Sequence, residues 1–202
     1  MWWTDVRDLG VASASLVRDI SPDADVSPDA RIHGNVVIGA GTRVCAGAVI
    51  HGPVRIGRNC LIGNNTLIRG NTVIGDRCSI GFSSELKHAR LGDNVSIGPQ
   101  CFVADSRVDD AAYLGALVRT SNHRLDACTV KVLHGGALLD TGMEKLGAWI
   151  GAHAALGVGV IVLPGRIVAP HTQLGPRITV EKNLPAGRYQ LAQQLHLISP
   201  LE

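Results

Sequence analysis

The sequence predicts an all-β fold, a left-handed parallel β-helix with short N- and C-terminal helices and one long loop. An aliphatic residue recurs every six positions through twelve anchors, from Ile20, Val26 and Ile32 to Ile74, Ile80 and Leu86. Four residues after each anchor comes a second, mostly small position, as at Ala30, Thr42, Ala48, Cys60, Thr72 and Cys78. Aromatic residues are only 3% of the 202 while glycines number 24, so small aliphatics and not rings must bury the apolar surface. A six-residue period fits neither a 3.6-residue helix nor a long alternating strand. It fits a short strand plus a turn, and Gly directly after the anchor (Gly39, Gly57, Gly63, Gly75, Gly81) supplies turn dihedrals that other residues resist.

Taken in order, residues 1–19 form an N-terminal cap, with an amphipathic helix expected over about Asp5 to Arg18 to close the open first coil. Residues 20–120 are coils. Three hexads make one triangular coil, so residues 18 apart stack ~4.8 Å from each other on neighbouring coils. After Leu86 the phase slips by one residue, to Leu91, Ile97 and Val103, and slips again to Val108 and Leu114, as a residue dropped at a corner allows. Residues 121–145 break the repeat and read as an inserted loop. The beat resumes over 146–180 with Ile150, Leu156, Val162, Val168, Leu174 and Val180. Roughly five coils are expected before the loop and two after it. In the tail, 181–202, Lys182 to Gly187 reads as a turn and Tyr189 to Ile198 as a terminal helix. One domain, 1–202, accounts for the chain.

The net charge of +2 and mean hydropathy of +0.18 give no reason to expect nucleic acid or a membrane as partner. The N-terminus has no signal-peptide pattern and no run of ~18 apolar residues occurs, so a cytoplasmic protein is expected. Five cysteines without a CxxC spacing suggest neither a zinc knuckle nor a complete disulfide set; Cys60, Cys78 and Cys101 read as small core thiols.

Read by coils of 18, the residue after the anchor is His33, His51, Arg69 and Lys87 on one column. Stacked like charges ~5 Å apart repel unless an anion or carboxylate lies among them. The column is therefore a candidate phosphate site, Arg binding by its fork and Lys as a point charge; the alternative is a solvated edge balanced by Glu85 or another subunit. The loop is the other candidate, since a ~25-residue excursion from a regular solenoid is usually functional. His123, beside Asn122, is its best-placed proton acceptor.

Several stretches resemble a known family: Gly81-Phe82-Ser83-Ser84-Glu85-Leu86-Lys87-His88-Ala89-Arg90-Leu91-Gly92, Val103-Ala104-Asp105-Ser106, Asn122-His123-Arg124, Val130-Lys131-Val132, and Lys145-Leu146-Gly147-Ala148-Trp149-Ile150-Gly151. They are similar to the acetyltransferase domain of the archaeal-type bifunctional sugar-1-phosphate nucleotidyltransferase/glucosamine-1-phosphate acetyltransferases, whose nucleotidyltransferase domain is absent here. The resemblance implies a homotrimer with sites between neighbouring chains, where acetyl-CoA or another acyl-CoA acylates the amine of a hexosamine 1-phosphate. It further implies that Arg69 and Lys87, two members of the column that also places His51 as a phosphate ligand, grip the phosphate, and that Asn122 and Lys131 serve the site from the loop. Ala116 would lie near the acetyl group and Ala152 near the pantetheine. The family's general-base His falls at Pro99, its Tyr at Phe102 and a further Asn at Tyr113, and neither Pro nor Phe accepts a proton.

Two functions follow. The first is an acyl-CoA-dependent transferase, an N-acetyltransferase in its simplest form, acting on an amino sugar phosphate or nucleotide sugar, with His123 or His88 as substitute base. The second is a catalytically altered homologue that binds sugar phosphates or scaffolds a separate nucleotidyltransferase. A metal-dependent carbonic anhydrase of the γ type would need a His triad across a trimer interface; His33 and His51 stack on one column, but no paired His at close spacing follows on a later coil, and no metal is expected.

Overall fold

The computed structural model describes residues 1–10 and 14–192 and shows the expected parallel β-helix. Its three faces are parallel sheets of eight, nine and eight strands, and the chain visits them in turn. The first face runs from Asp19–Ile20 to Ile167–Val168, and the second from Asp25–Val26 through Gln173–Leu174 to Arg188–Tyr189. The third runs from Arg31–His33 to Thr179–Val180. Six strands of each face precede the loop, one more than the roughly five expected, because Val108, Leu114 and Thr120, after the second slip, complete a sixth coil.

The anchors point inward and stack in register. Val44 lies over Ile62, Ile62 over Ile80, and Ile80 over Ile97, each fully or almost fully buried. Each such side chain contributes ~1.5–3 kcal/mol on leaving water. The small second positions have a further task at the corners. Thr42 Oγ1 donates to Gly57 O (2.7 Å) and accepts from Cys60 N–H (3.0 Å). The Cys60 thiol donates in turn to Gly75 O (3.1 Å), and Cys78 does the same to Gly92 O (3.1 Å). A small residue with one donor satisfies a corner carbonyl that the strands leave over. The three buried cysteines, Cys60, Cys78 and Cys101, thus stand where the repeat predicts them. Glycine after the anchor is required by close approach: a Cβ on Gly39 would lie 2.7 Å from Gly57 O.

The phase slip has a local cause. Up to Lys87 the register is 18 residues, as in Arg69 opposite Lys87. From there it is 17, with Lys87 opposite Ala104 and Leu91 opposite Val108. The residue is lost at the corner between the third and first faces, where Gly70-Asn71 of one coil is answered by His88 alone and then by Asp105 alone. Both take left-handed backbone, φ 46° and 47°.

The ends differ from expectation. The N-terminal helix is Trp2–Arg7, earlier and shorter than Asp5 to Arg18, and it does not close the first coil, whose Ile20, Val26 and Ile32 remain half-exposed. It packs on the sixth coil beside strand Arg107–Val108, with Trp2, Trp3 and Val6 buried against Val130 and Val132 of the loop and Leu146 just after it. The Asp5 carboxylate pairs with Arg107, and Asp109 holds Arg107 (2.6 Å) and Trp149 Nε1–H (2.7 Å). The loop's own apolar side chains attract this helix: residues 121–145 contain a hairpin, Lys131–His134 with Ala137–Asp140, whose buried Val132 needs a cover. At the C-terminus, Arg188–Tyr189 adds a strand to the second face, so the expected helix does not begin at Tyr189; its remainder from 193 lies outside the described residues. Among the described residues no helix is long and apolar enough to cross a membrane.

Candidate active site

The predicted basic column is a physical ladder at the end of the third face. His33 is opposite His51, His51 opposite Arg69, and Arg69 opposite Lys87. The two imidazoles stack at 4.9 Å and 14°. The two permanent cations are each matched. Arg69, 46% exposed, places Nη2 2.7 Å and Nε 2.8 Å from Glu85 Oε1. Lys87, 24% exposed, lies 3.6 Å from Asp105 Oδ2.

Asp105 is the hub of the site. Its side chain is 4% exposed and meets three others. Its Oδ1 lies 3.1 Å from His88 Nδ1, and its Oδ2 accepts from Asn122 Nδ2–H (2.5 Å) besides facing Lys87. Burial pushes this carboxyl up, but the His88 and Asn122 hydrogen bonds and the Lys87 charge outweigh it and hold the carboxyl below its usual value. Asp105 is therefore ionised at neutral pH. The shortened corners create this arrangement: with a residue deleted, His88 and Asp105 stand directly one above the other, and Asn122 follows on the next coil as the loop departs. His88 Nε2 is buried without a hydrogen-bond partner among the described residues.

The other predicted residues are dispersed. His123 is exposed, at a cavity of about 530 Å³ beside the base of the loop, and its backbone bridges to Lys145. Lys131 is on the hairpin opposite Asp140, whose carboxyl is held low by the Gly142 N–H and the Thr129 hydroxyl. Ala116 lies between the second and third faces, where its carbonyl accepts from Gly159 N–H (2.8 Å), and Ala152 between the first and second. Pro99 stands one coil from Ala116 on the same corner, and Phe102 is on the third face between Glu85 and Arg119. One chain thus brings together Lys87, His88, Asp105 and Asn122, with Arg69 next in the ladder, and leaves Lys131, Ala116 and Ala152 elsewhere. The sequence shows Asp105 only within a motif, without a role; the signal that marks it is the coincidence of both slips with the basic column.

Residues 53–88 match the family model "Bacterial transferase hexapeptide (six repeats)". Over 172 residues the chain is 58% identical to the uncharacterized acetyltransferase YaiX of Escherichia coli O6:K15:H31 (strain 536 / UPEC), covering 85% of this chain and 75% of that protein. The chain belongs to the hexapeptide acetyltransferase family. It is also 31% identical over 114 residues to the bifunctional sugar-1-phosphate nucleotidylyltransferase/acetyltransferase of Sulfurisphaera tokodaii, covering 56% of this chain but only 28% of that protein. In fold it is similar to the UDP-N-acetylglucosamine acyltransferase from Campylobacter jejuni, with a TM-score of 0.55 at 16% identity over 82% of this chain and 72% of that one. For a hexapeptide acetyltransferase, the Asp105 cluster is notable in offering a His oriented by a carboxylate beside two matched cations, while Pro99 and Phe102 offer no proton acceptor.

Proposed function

We propose that this chain transfers an acyl group from an acyl-CoA, most simply acetyl-CoA, to the amine of an amino sugar phosphate or nucleotide sugar. The observation that carries this reading is the Asp105 cluster, which ties Lys87 of the ladder, Asn122 of the loop and His88 to one carboxylate. Arg69 and Lys87, with His51 beneath them, take the phosphate, which displaces or joins Glu85 and Asp105 as counter-charge. His88 is the base in preference to His123, for which no orienting carboxylate is present among the described residues. With Nδ1–H donating to ionised Asp105, His88 Nε2 carries the free lone pair. The amine attacks the thioester carbonyl, its proton passes to Nε2, and the C–S bond breaks to release the coenzyme thiolate, which takes up that proton. Nε2 is covered in the free chain, and such contacts often form only in the substrate complex. Lys131, Ala116 and Ala152 lie apart within one chain, which supports a homotrimer in which a neighbour's corner completes each site, with the two alanines leaving room for the acyl donor.

The test is thiol release from acetyl-CoA with a panel of amino sugar phosphates and nucleotide amino sugars. We expect turnover with at least one. His88→Gln should lower kcat by ~100 to 10,000-fold, the usual worth of a general base, while His123→Gln changes it little. Arg69→Met should act on KM. Absence of thiol release across the panel would sink the reading. Pro99 and Phe102 favour a second reading, a sugar-phosphate binder that has lost transfer. It requires sugar phosphates to raise the melting temperature and coenzyme A to leave it unchanged.

A further inference from the structure

The members of the Asp105 cluster reach one another partly through the loop, and the loop's apolar side rests on the N-terminal helix. Leu146, fully buried, shares one apolar cluster with Trp2, Trp3 and Val6 of the helix and with Val130 and Val132 of the loop. Its backbone N–H donates to Asn122 O (2.9 Å), and Asn122 Nδ2–H donates in turn to the Asp105 carboxylate. The next residue, Gly147, donates its N–H to Asp105 O (2.7 Å). A row of packed and hydrogen-bonded neighbours thus runs from the helix through Leu146 and Asn122 to the carboxylate beside His88. The root of the hairpin lies directly on the next coil: a Cβ on Gly165 would be 2.7 Å from both Lys131 O and Val130 Cγ1. The helix covers its other side. That helix has six residues, and even ~12–15 are marginal for a helix alone in water. It exists because it is docked, by its buried face and by Asp5 on Arg107.

We propose that the N-terminal helix is a positioning element for acyl transfer, with Trp3 its principal positioning residue; the inference rests on the reading of His88 as the base. Trp3 touches none of the reacting groups. It is 4% exposed, covers the loop and meets His134 edge-on at 5.6 Å. By closing the apolar cluster it keeps Leu146, and through it Asn122, in place against Asp105. When the cover is lost, Asn122 is free to turn away, and Asp105 no longer holds His88 in one orientation. A misplacement of ~1 Å costs up to ~100-fold in rate even when the substitution is far from the chemistry. The phosphate grip does not depend on the helix, since Arg69 and Lys87 extend from neighbouring solenoid strands. The helix therefore acts on kcat and not on sugar binding.

The experiment compares the full chain with Trp3→Ala, Trp3→Phe and Ile20→Ala, each at a temperature where circular dichroism shows it folded. Thiol release from acetyl-CoA gives kcat and KM for the accepted amino sugar, and hydrogen exchange follows the amides of Leu146 and Gly147. We expect Trp3→Ala to lower kcat by ~10 to 100-fold and to leave KM within about threefold, the pattern of an interaction used only in the transition state. Trp3→Phe, which keeps a ring in the cluster, should recover most of the loss. Ile20→Ala, which loosens the far end of the solenoid, should leave kcat unchanged. The Leu146 and Gly147 amides should lose protection in Trp3→Ala and keep it in Ile20→Ala. Three results would each overturn the proposal: kcat in Trp3→Ala within about twofold of the wild type; KM raised as much as kcat is lowered; or unchanged exchange at Leu146 and Gly147. If Trp3→Ala does not fold, Asp5→Asn and Val6→Ala loosen the helix in its place, and unchanged kcat and exchange in both overturn it equally. Failure of the acyl-transfer reading is separate: it shows as no thiol release from the wild type and removes the catalytic consequence, while exchange at the two amides decides the positioning of Asn122 by itself.

Discussion

At the scale of the residue, Asp105 decides what the site can be. A buried carboxylate shared by Lys87, His88 and Asn122 is stable only while it is charged, because all three partners reward the anion. Its pKa is lowered on folding, so the stability it confers is fully present above the ordinary carboxylate value and is lost as pH falls through the lowered one. Asp105→Asn keeps the shape but loses the charge-assisted bonds, which are worth ~1.5–3 kcal/mol each to a charged group. We expect the variant to unfold at lower urea than the wild type at pH 7, with the gap closing below pH ~4. A gap that stays constant across that range in urea titrations would show that the carboxylate's charge is not what holds the cluster. Sequence reasoning reached two members of this site, Lys87 and Asn122, and noted His88 as a possible base. It left Asp105 without a role because a carboxylate two residues past the anchor Val103 looks like any other corner polar group. Only the deleted corner residues, one before Leu91 and one before Val108, place it over His88.

At the scale of the element, strands were far more legible than helices. A strand here needs one inward anchor and a turn, and both are written in every six residues; Ile38, Ile56 and Ile74 fall in register as the spacing requires. The N-terminal helix has no such local signature, since its six residues, Trp2–Arg7, are fixed by what they cover. Trp3 is the clearest case: it is 4% exposed and meets His134 of the hairpin edge-on at 5.6 Å. No periodicity within residues 1–19 could reveal a partner more than a hundred residues away. Trp3→Ala should cost ~3–5 kcal/mol if the helix stays docked, as for other large aromatic truncations. The prediction for hydrogen exchange is sharper: amides of Lys131–His134 and Ala137–Asp140 should lose protection while those of the anchor strands keep theirs, because local openings follow packing units. Uniform loss over both would mean that helix, hairpin and solenoid form one cooperative unit.

At the scale of the whole molecule, a solenoid's stability is close to a sum of coil terms and neighbour interfaces. Two consequences follow from how the interior is filled. A middle anchor has a coil on each side, and Ile62 is completely buried between Val44 and Ile80. The first-coil anchor Ile20 pairs only with Ile38 and remains half-exposed, since the N-terminal helix packs far along the stack and not over this end. Truncation to Ala should therefore depend on position more than on chemistry. Ile62→Ala opens a cavity with no water to fill it and should cost ~2–5 kcal/mol, whereas Ile20→Ala forfeits only part of the transfer term and should fall below that range. Position should also change the form of the transition. Ile62→Ala interrupts the array in its middle and lowers the midpoint of the whole melt; Ile20→Ala lets the first coil fray and leaves that midpoint nearly in place. Chemical denaturation followed by circular dichroism distinguishes the two, and equal shifts of the midpoint would mean that the open end is closed in the assembled protein, as a neighbouring chain of a trimer would close it.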